Sequence, residues 1–198
     1  MKQLLYADAC IRRGASRTRA LARTLLDGCT GADVQLETLD LQALDLVPLD
    51  EAALALRDQQ AAQSFAHPIF ALARQFVQAD AVILAAPFWD LSFPSLLRVY
   101  LERLCVTGLT FHYSPAGIPV GDCKARRLVL VTTRGGYTGP QGSPDLAVPY
   151  LKSLAALFGI PRFDCLAAEG LDIVGNDPQA ILQAAREQAG QMAASFWD

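Results

Sequence analysis

The chain has 198 residues, 52% of them hydrophobic and 19% charged, with a formal net charge of −3. That length and apolar content suit one domain, spanning 1–198, with a buried core; disorder is excluded, and neither disulfides nor metals are needed to hold the fold. Seventeen Lys and Arg against twenty Asp and Glu also exclude a general nucleic-acid binder, whose affinity rests on neutralising phosphates.

Residues 4–7 read as a short buried strand ending at Asp8. After a loop with Gly14, helical spacing runs from Ser16 to about residue 26, with Leu21, Leu25 and Leu26 apolar and Gly28 as the expected cap. Residues 34–39 alternate, as a strand with one wetter face should. A connector over 40–48 leads to helical patterns at 51–57 and 68–78. Residues 81–86 form a continuous apolar run closed by Pro87, the pattern of a central parallel strand covered on both faces. The next helix spans 94–104, with proline in its first turn. Residues 107–122, with aromatics, two prolines and three glycines, read as a hairpin-like excursion. A second buried strand at 127–132 ends in Thr133-Arg134-Gly135-Gly136. A helix at 145–158, a strand at 163–167 and a helix at 178–195 behind Asp177 complete the chain.

Alternating strands and helices imply five parallel strands in one doubly wound sheet with helices on both faces. In such sheets ligands bind beyond the carboxyl ends of the strands, near the switch in strand order, so three loops should carry the function. The cysteines at 10, 29, 105, 123 and 165 are odd in number and match neither a zinc site nor a disulfide framework. A reducing cytoplasm is therefore the expected compartment. The first eight residues carry too short an apolar run for a signal peptide, and the runs at 81–89 and 128–131 are strand-sized, so no membrane association is expected.

The first loop, residues 8–18, places Ser16 and Thr18 where a helix begins. Hydroxyls, free backbone N–H groups, the helix dipole and Arg12, Arg13 and Arg17 all favour a phosphate there. Taken alone, the loop reads as well as an anion site as it does as a plain cap with solvated arginines. A G-x-G-x-x-G fingerprint is absent. The Cys-x5-Arg-Ser/Thr loop of the low-molecular-weight tyrosine phosphatases is missed by one residue, because six residues separate Cys10 from Arg17. A lowered Cys10 pKa beside the helix start is conceivable, although a small packing residue is the simpler reading. The second loop, Pro87-Phe88-Trp89-Asp90-Leu91-Ser92-Phe93-Pro94, crowds four large apolar side chains at the end of a central strand. Such surface suits a flat heteroaromatic ligand, although composition alone favours packing under a neighbouring loop or subunit. In the third loop, Gly135 and Gly136 permit close backbone approach to a ring edge, beside Thr133 and Arg134; a plain turn is the alternative. Flavin mononucleotide has all three parts: a phosphate, a flat ring and a polar ring edge.

At this point the chain resembles the flavodoxin-like, FMN-dependent NAD(P)H quinone reductases and azoreductases, over nearly its whole length. The likeness rests on Ala86-Pro87-Phe88-Trp89-Asp90-Leu91, Gly108-Leu109-Thr110-Phe111-His112-Tyr113, Thr133-Arg134-Gly135-Gly136 and Asp145-Leu146-Ala147-Val148-Pro149-Tyr150-Leu151. The resemblance implies a flavodoxin-like sheet with FMN held by Cys10, Ser16, Arg17 and Thr18 at its phosphate, and by Pro87, Phe88, Trp89, Asp90 and Leu91 at its ring. Thr133, Arg134, Gly135 and Gly136 would form the second ring-binding loop. Cys10 stands where the family has serine, and Asp90 where the azoreductases commonly have asparagine. A carboxylate there disfavours extra negative charge on the reduced ring, so a lower flavin potential is expected. The implied chemistry is ping-pong: NADH or NADPH gives hydride and leaves, and a quinone or azo compound is then reduced by two electrons. No side chain need act as a nucleophile; His112 is a possible proton donor on an exposed hairpin, and His67 has no evident partner. The resemblance also implies a homodimer with the site at its interface, where Phe111, Tyr113 and Phe158 would line an acceptor pocket; by residue type each is core or interface. An electron carrier that does not react with NAD(P)H is the alternative, disfavoured by the mild charge, and a Cys10 phosphatase is a weaker one.

Overall fold

Why the apolar runs become strands is visible in what covers them. The computed structural model describes residues 1–140 and 142–198. In chain order the elements are β1 (Lys2–Asp8), α1 (Arg17–Cys29), β2 (Val34–Asp40), α2 (Glu51–Ala61), α3 (Ala71–Gln78), β3 (Ala81–Ala85) and α4 (Ser95–Leu104). There follow β4 (Phe111–Tyr113), β5 (Pro119–Gly121), β6 (Arg127–Thr133), α5 (Ala147–Leu157), β7 (Arg162–Ala168) and α6 (Pro178–Ala194). Five strands form one parallel sheet in the order β2-β1-β3-β6-β7, as expected. Residues alternate between its faces with the period of two that a pleated strand imposes. Leu5, Val82, Leu84, Leu128 and Leu130 pack under α3, α4 and α5, whereas Leu4, Tyr6, Ile83, Val129 and Val131 pack under α1 and α6. Every residue of β3 is buried, which explains its unbroken Ala-Val-Ile-Leu-Ala sequence.

Several details depart from the sequence expectations. Gly28 lies inside α1 and does not cap it; Thr30 does. A Cβ on Gly28 would stand 2.7 Å from the Ala193 Cβ, so the missing side chain lets α1 and α6 approach closely. β2 is an edge strand with residues 35–38 all exposed, paired on one side with β1. The pattern at 68–78 divides into a 3₁₀ turn, Pro68–Phe70, and α3. His67 has a partner there, since its Nδ1 accepts from the Ile69 N–H at 3.2 Å. Asp145 precedes α5, its Oδ1 accepting from the N–H groups of Ala147 and Val148 at 2.8 and 3.0 Å. The 107–122 excursion is the two-stranded β4–β5 hairpin. Gly121 presses its backbone on the turn after α5, where a Cβ would fall 1.9 Å from the Gly159 nitrogen, so no other residue fits. Among the described residues no helix is long and apolar enough to cross a membrane.

Candidate cofactor cleft

Strand order reverses between β1 and β3, and a cleft opens at the carboxyl ends there. Its walls come from residues far apart in sequence: Arg12 and 15–18, 87–89, 133–135, and Leu171 with Asp172. The first wall is built by the loop between β1 and α1. Ser16 caps α1, its hydroxyl accepting from the Arg19 N–H at 3.2 Å. The N–H groups of Arg17 and Thr18 have no acceptor among the described residues, and together with Arg12 and Arg17 they offer donors and charge to an anion. Asp8 holds this loop from beneath: one oxygen accepts from the Cys10 N–H at 2.9 Å, and the other pairs with Arg19 Nε at 2.6 Å. Arg13 turns away from the cleft to Asp40 and Gln42, so it adds nothing to the anion site. The Thr18 hydroxyl lies 2.7 Å from that of Thr133, tying the phosphate wall to the end of β6.

Cys10 corrects an expectation. It is 1% exposed, does not line the cleft, and aims its Sγ at the Ala85 carbonyl 3.6 Å away. Burial pushes its thiol up to about 12, with Asp8 adding to the rise against a lowering hydrogen bond from Ser16. A thiol so placed is neither a phosphate ligand nor a phosphatase nucleophile, because the thiolate is the reactive form.

Pro87, Phe88 and Trp89 form the second wall. Beyond them, Trp89 and Ser92 exchange both backbone hydrogen bonds at 3.0 and 2.8 Å, with Asp90 and Leu91 at the tip at φ of 49° and 65°. Two consecutive non-glycine residues in the left-handed region make a strained turn, mildly so for Asp90 and more so for Leu91. The Leu91 carbonyl accepts from the Leu146 N–H at 2.9 Å, which anchors it. Asp90 and Leu91 therefore sit at the rim, outside the cleft walls.

The third wall holds Thr133, Arg134 and Gly135, while Gly136 lies just outside, its carbonyl accepting from the Gly170 N–H. Gly135 runs against Asp172, whose Oδ2 would be 2.6 Å from a Cβ at that position. Asp172 in turn meets Arg17 at 2.9 Å across the mouth of the cleft. Arg134 carries its charge inward, to Asp145 at 2.7 Å and Glu169 at 3.0 Å. Asp172, Leu171 and Glu169 were not singled out from the sequence, and Asp145 entered only as part of the 145–151 segment, without a role. The loop after the fifth strand also opens at the carboxyl edge, and that topology was the signal for the first three.

None of the three aromatic residues expected at an acceptor pocket lines this cleft. Phe158 is fully buried, with its ring edge-on to Phe76 at 5.1 Å, so it is core. Phe111 is buried edge-on to Tyr113; only Tyr113, 57% exposed on the hairpin, remains open to a ligand or a second chain. His112 lies beside it, held through Nδ1 by Asp122 at 2.9 Å.

The donor set fits FMN: free N–H groups and guanidinium groups for a phosphate, aromatic surface on Phe88 and Trp89 for a flat ring, and a glycine backbone for its edge. A doubly wound sheet with this cleft at its switch point defines a nucleotide-type cofactor-binding α/β protein. The chain belongs to the family described by the flavodoxin-like fold, whose model matches residues 2–193. It is 34% identical over 201 residues to FMN-dependent NADH:quinone oxidoreductase 2 of Clostridium acetobutylicum, covering 99% of this chain and 100% of the relative. It is 31% identical over 202 residues to an FMN-dependent NADH:quinone oxidoreductase of Clostridium perfringens, covering 99% and 100%. Among solved structures, an azoreductase from Bacillus anthracis superposes with a TM-score of 0.87 at 25% identity, covering 99% of this chain and all of that one. An FMN-dependent NADH-azoreductase from Bacillus anthracis in complex with FMN shares the fold at a TM-score of 0.84 and 19% identity, covering both chains fully.

Proposed function

We propose that this chain is an FMN-dependent NAD(P)H oxidoreductase that reduces quinones, and azo compounds as a second acceptor class, by two-electron ping-pong hydride transfer. The observation that carries this reading is the cleft itself, with its anion-binding helix start, aromatic wall and glycine edge at the switch point. Bound FMN supplies a ring that accepts a hydride and then donates it. The chain supplies the rest. The Arg17 and Thr18 N–H groups and the two arginines bind the phosphate, Phe88 and Trp89 orient the ring by its faces, and the Gly135 backbone fixes its edge. Trp89 is 39% exposed, leaving apolar surface beside the ring for a nicotinamide or a quinone. The relatives named as NADH:quinone oxidoreductases support an enzyme over a carrier and favour NADH as donor.

The working unit in this reading is one domain, paired as a cytoplasmic homodimer. Leu91 and Leu146, exposed at the rim and joined by a backbone hydrogen bond, give the pairing an apolar contact. Five free cysteines suit a reducing compartment. The test is an anaerobic absorption titration with FMN and then NADH. Flavin bands that shift on binding and bleach with NADH are expected. Binding without bleaching by either NADH or NADPH makes the chain a carrier, and no binding removes the flavin reading.

A further inference from the structure

Arg134 is 3% exposed, yet it sits on the wall that meets a ligand's ring edge. Its guanidinium reaches Asp145 Oδ2 at 2.7 Å through one terminal nitrogen and Glu169 Oε1 at 3.0 Å through the other, which also meets the Thr138 hydroxyl. Its Cζ lies over the Phe88 ring, 4.7 Å from the centroid. Each partner is tied further. Asp145 caps the first turn of α5, and Glu169 accepts from the Thr138 hydroxyl at 2.9 Å and from its N–H at 3.3 Å. The Phe88 N–H donates to the Thr133 carbonyl, and the Arg134 carbonyl accepts from the Leu171 N–H. One side chain thus joins the ring loop, the glycine loop, the start of α5 and the segment after β7. One positive charge faces two carboxylates, so none is left over to attract an anion in the cleft.

We propose that Arg134 is a positioning residue, one that locks the aromatic wall and the glycine wall into a single rigid ring-binding surface and does not itself bind the ring electrostatically. The inference deepens the flavin reading above and uses FMN as its probe. Arginine is required because a planar fork can satisfy two carboxylates while stacking on an aromatic face. Lysine keeps the charge but offers neither the second arm nor the flat surface.

The test compares the full chain with Arg134→Lys. Three readouts are needed: the FMN dissociation constant by flavin fluorescence quenching, the near-ultraviolet circular dichroism of the cofactor-free protein, and the midpoint potential of bound flavin. Arg134→Lys should weaken FMN binding by about tenfold and alter the aromatic dichroism, with the potential of the flavin that does bind unchanged. Binding within twofold of the parent, with an unaltered aromatic spectrum, overturns the proposal even if the protein melts earlier. A shifted potential at unchanged affinity also overturns it, since the charge would then be acting on the ring. Should Arg134→Lys fail to fold, Glu169→Gln cuts one arm of the clamp and keeps the hydrogen-bonding shape. About threefold weaker FMN binding is then expected, and unchanged binding is the adverse result. If the parent protein binds no FMN, the flavin reading fails by itself, and the aromatic spectra of these variants still decide whether the clamp organises the loops.

Discussion

Replacing Gly28 by alanine sets two effects of known sign against each other. Helix propensity alone says that Gly28→Ala should stabilise α1 by about 1 kcal/mol. The structure says otherwise, because the new methyl would stand 2.7 Å from the Ala193 Cβ, against about 3.8 Å for relaxed carbon contact. The helices must separate by about 1 Å along a contact buried in the core on their face of the sheet, an overpacking strain of about 2 kcal/mol. The net expectation is a loss of about 1 kcal/mol, or roughly 3 °C in Tm for a chain of this size. Ala193→Gly alone loses a buried methyl and helix propensity, together about 2 kcal/mol. The double variant moves the methyl from one helix to the other, so it should return to within about 0.5 kcal/mol of the parent. Urea denaturation of all four proteins measures the coupling. A stabilised Gly28→Ala, or two losses that simply add, would refute close helix approach as the reason for glycine at this position.

Other outcomes follow from the same geometry. Burial raises the thiols of Cys10 and Cys123 to about 12 and of Cys29 and Cys165 to about 11, so the folded state holds their protons more tightly than the unfolded chain. The stability they contribute is therefore intact below pH 9 and should drain away as the pH climbs through 11 and 12, visible as a falling Tm on that limb alone. Cys10 should also resist alkylation in the native protein at pH 8. Phe158→Ala should cost about 4 kcal/mol by denaturant unfolding, with the FMN affinity of the folded fraction unchanged, because the ring is core and not pocket. Asp90→Asn should leave stability unchanged, since both residues tolerate φ near 49°. It should raise the flavin midpoint potential in low salt; an unaltered potential by redox titration would detach Asp90 from the ring.

The sheet was legible because burial on two faces writes an unbroken apolar run, as in β3, and burial on one face of a helix writes a 3.6-residue period, as at Leu21, Leu25 and Leu26. Ser16, Arg17 and Pro87 to Trp89 could be placed in the cleft because loop position follows from strand order. What sequence could not show was direction. Arg134 and Arg17 look alike as residues in ligand-facing loops, but one is buried between Asp145 and Glu169, distant in the chain, while the other meets Asp172 in an exposed pair at the mouth. Cys10 was misassigned for the same reason: its backbone belongs to the phosphate loop while its sulfur points into the core. Asp172 and Glu169 stayed hidden because nothing local marks them; only pairing of β7 beside β6 brings them to the site.

The walls of the cleft are drawn from segments separated by up to about 160 residues, between Arg12 and Asp172. No fragment and no half-formed sheet contains the whole of it, so occupancy by a cofactor reports that the last strand has docked. Mass action then makes the ligand a proofreader of assembly: at a hundred times its Kd it adds about 2.7 kcal/mol to the completed fold and nothing to any partial one. Cofactor supply during synthesis should accordingly set how much of this chain survives in the cell, independently of how fast it turns over its substrates.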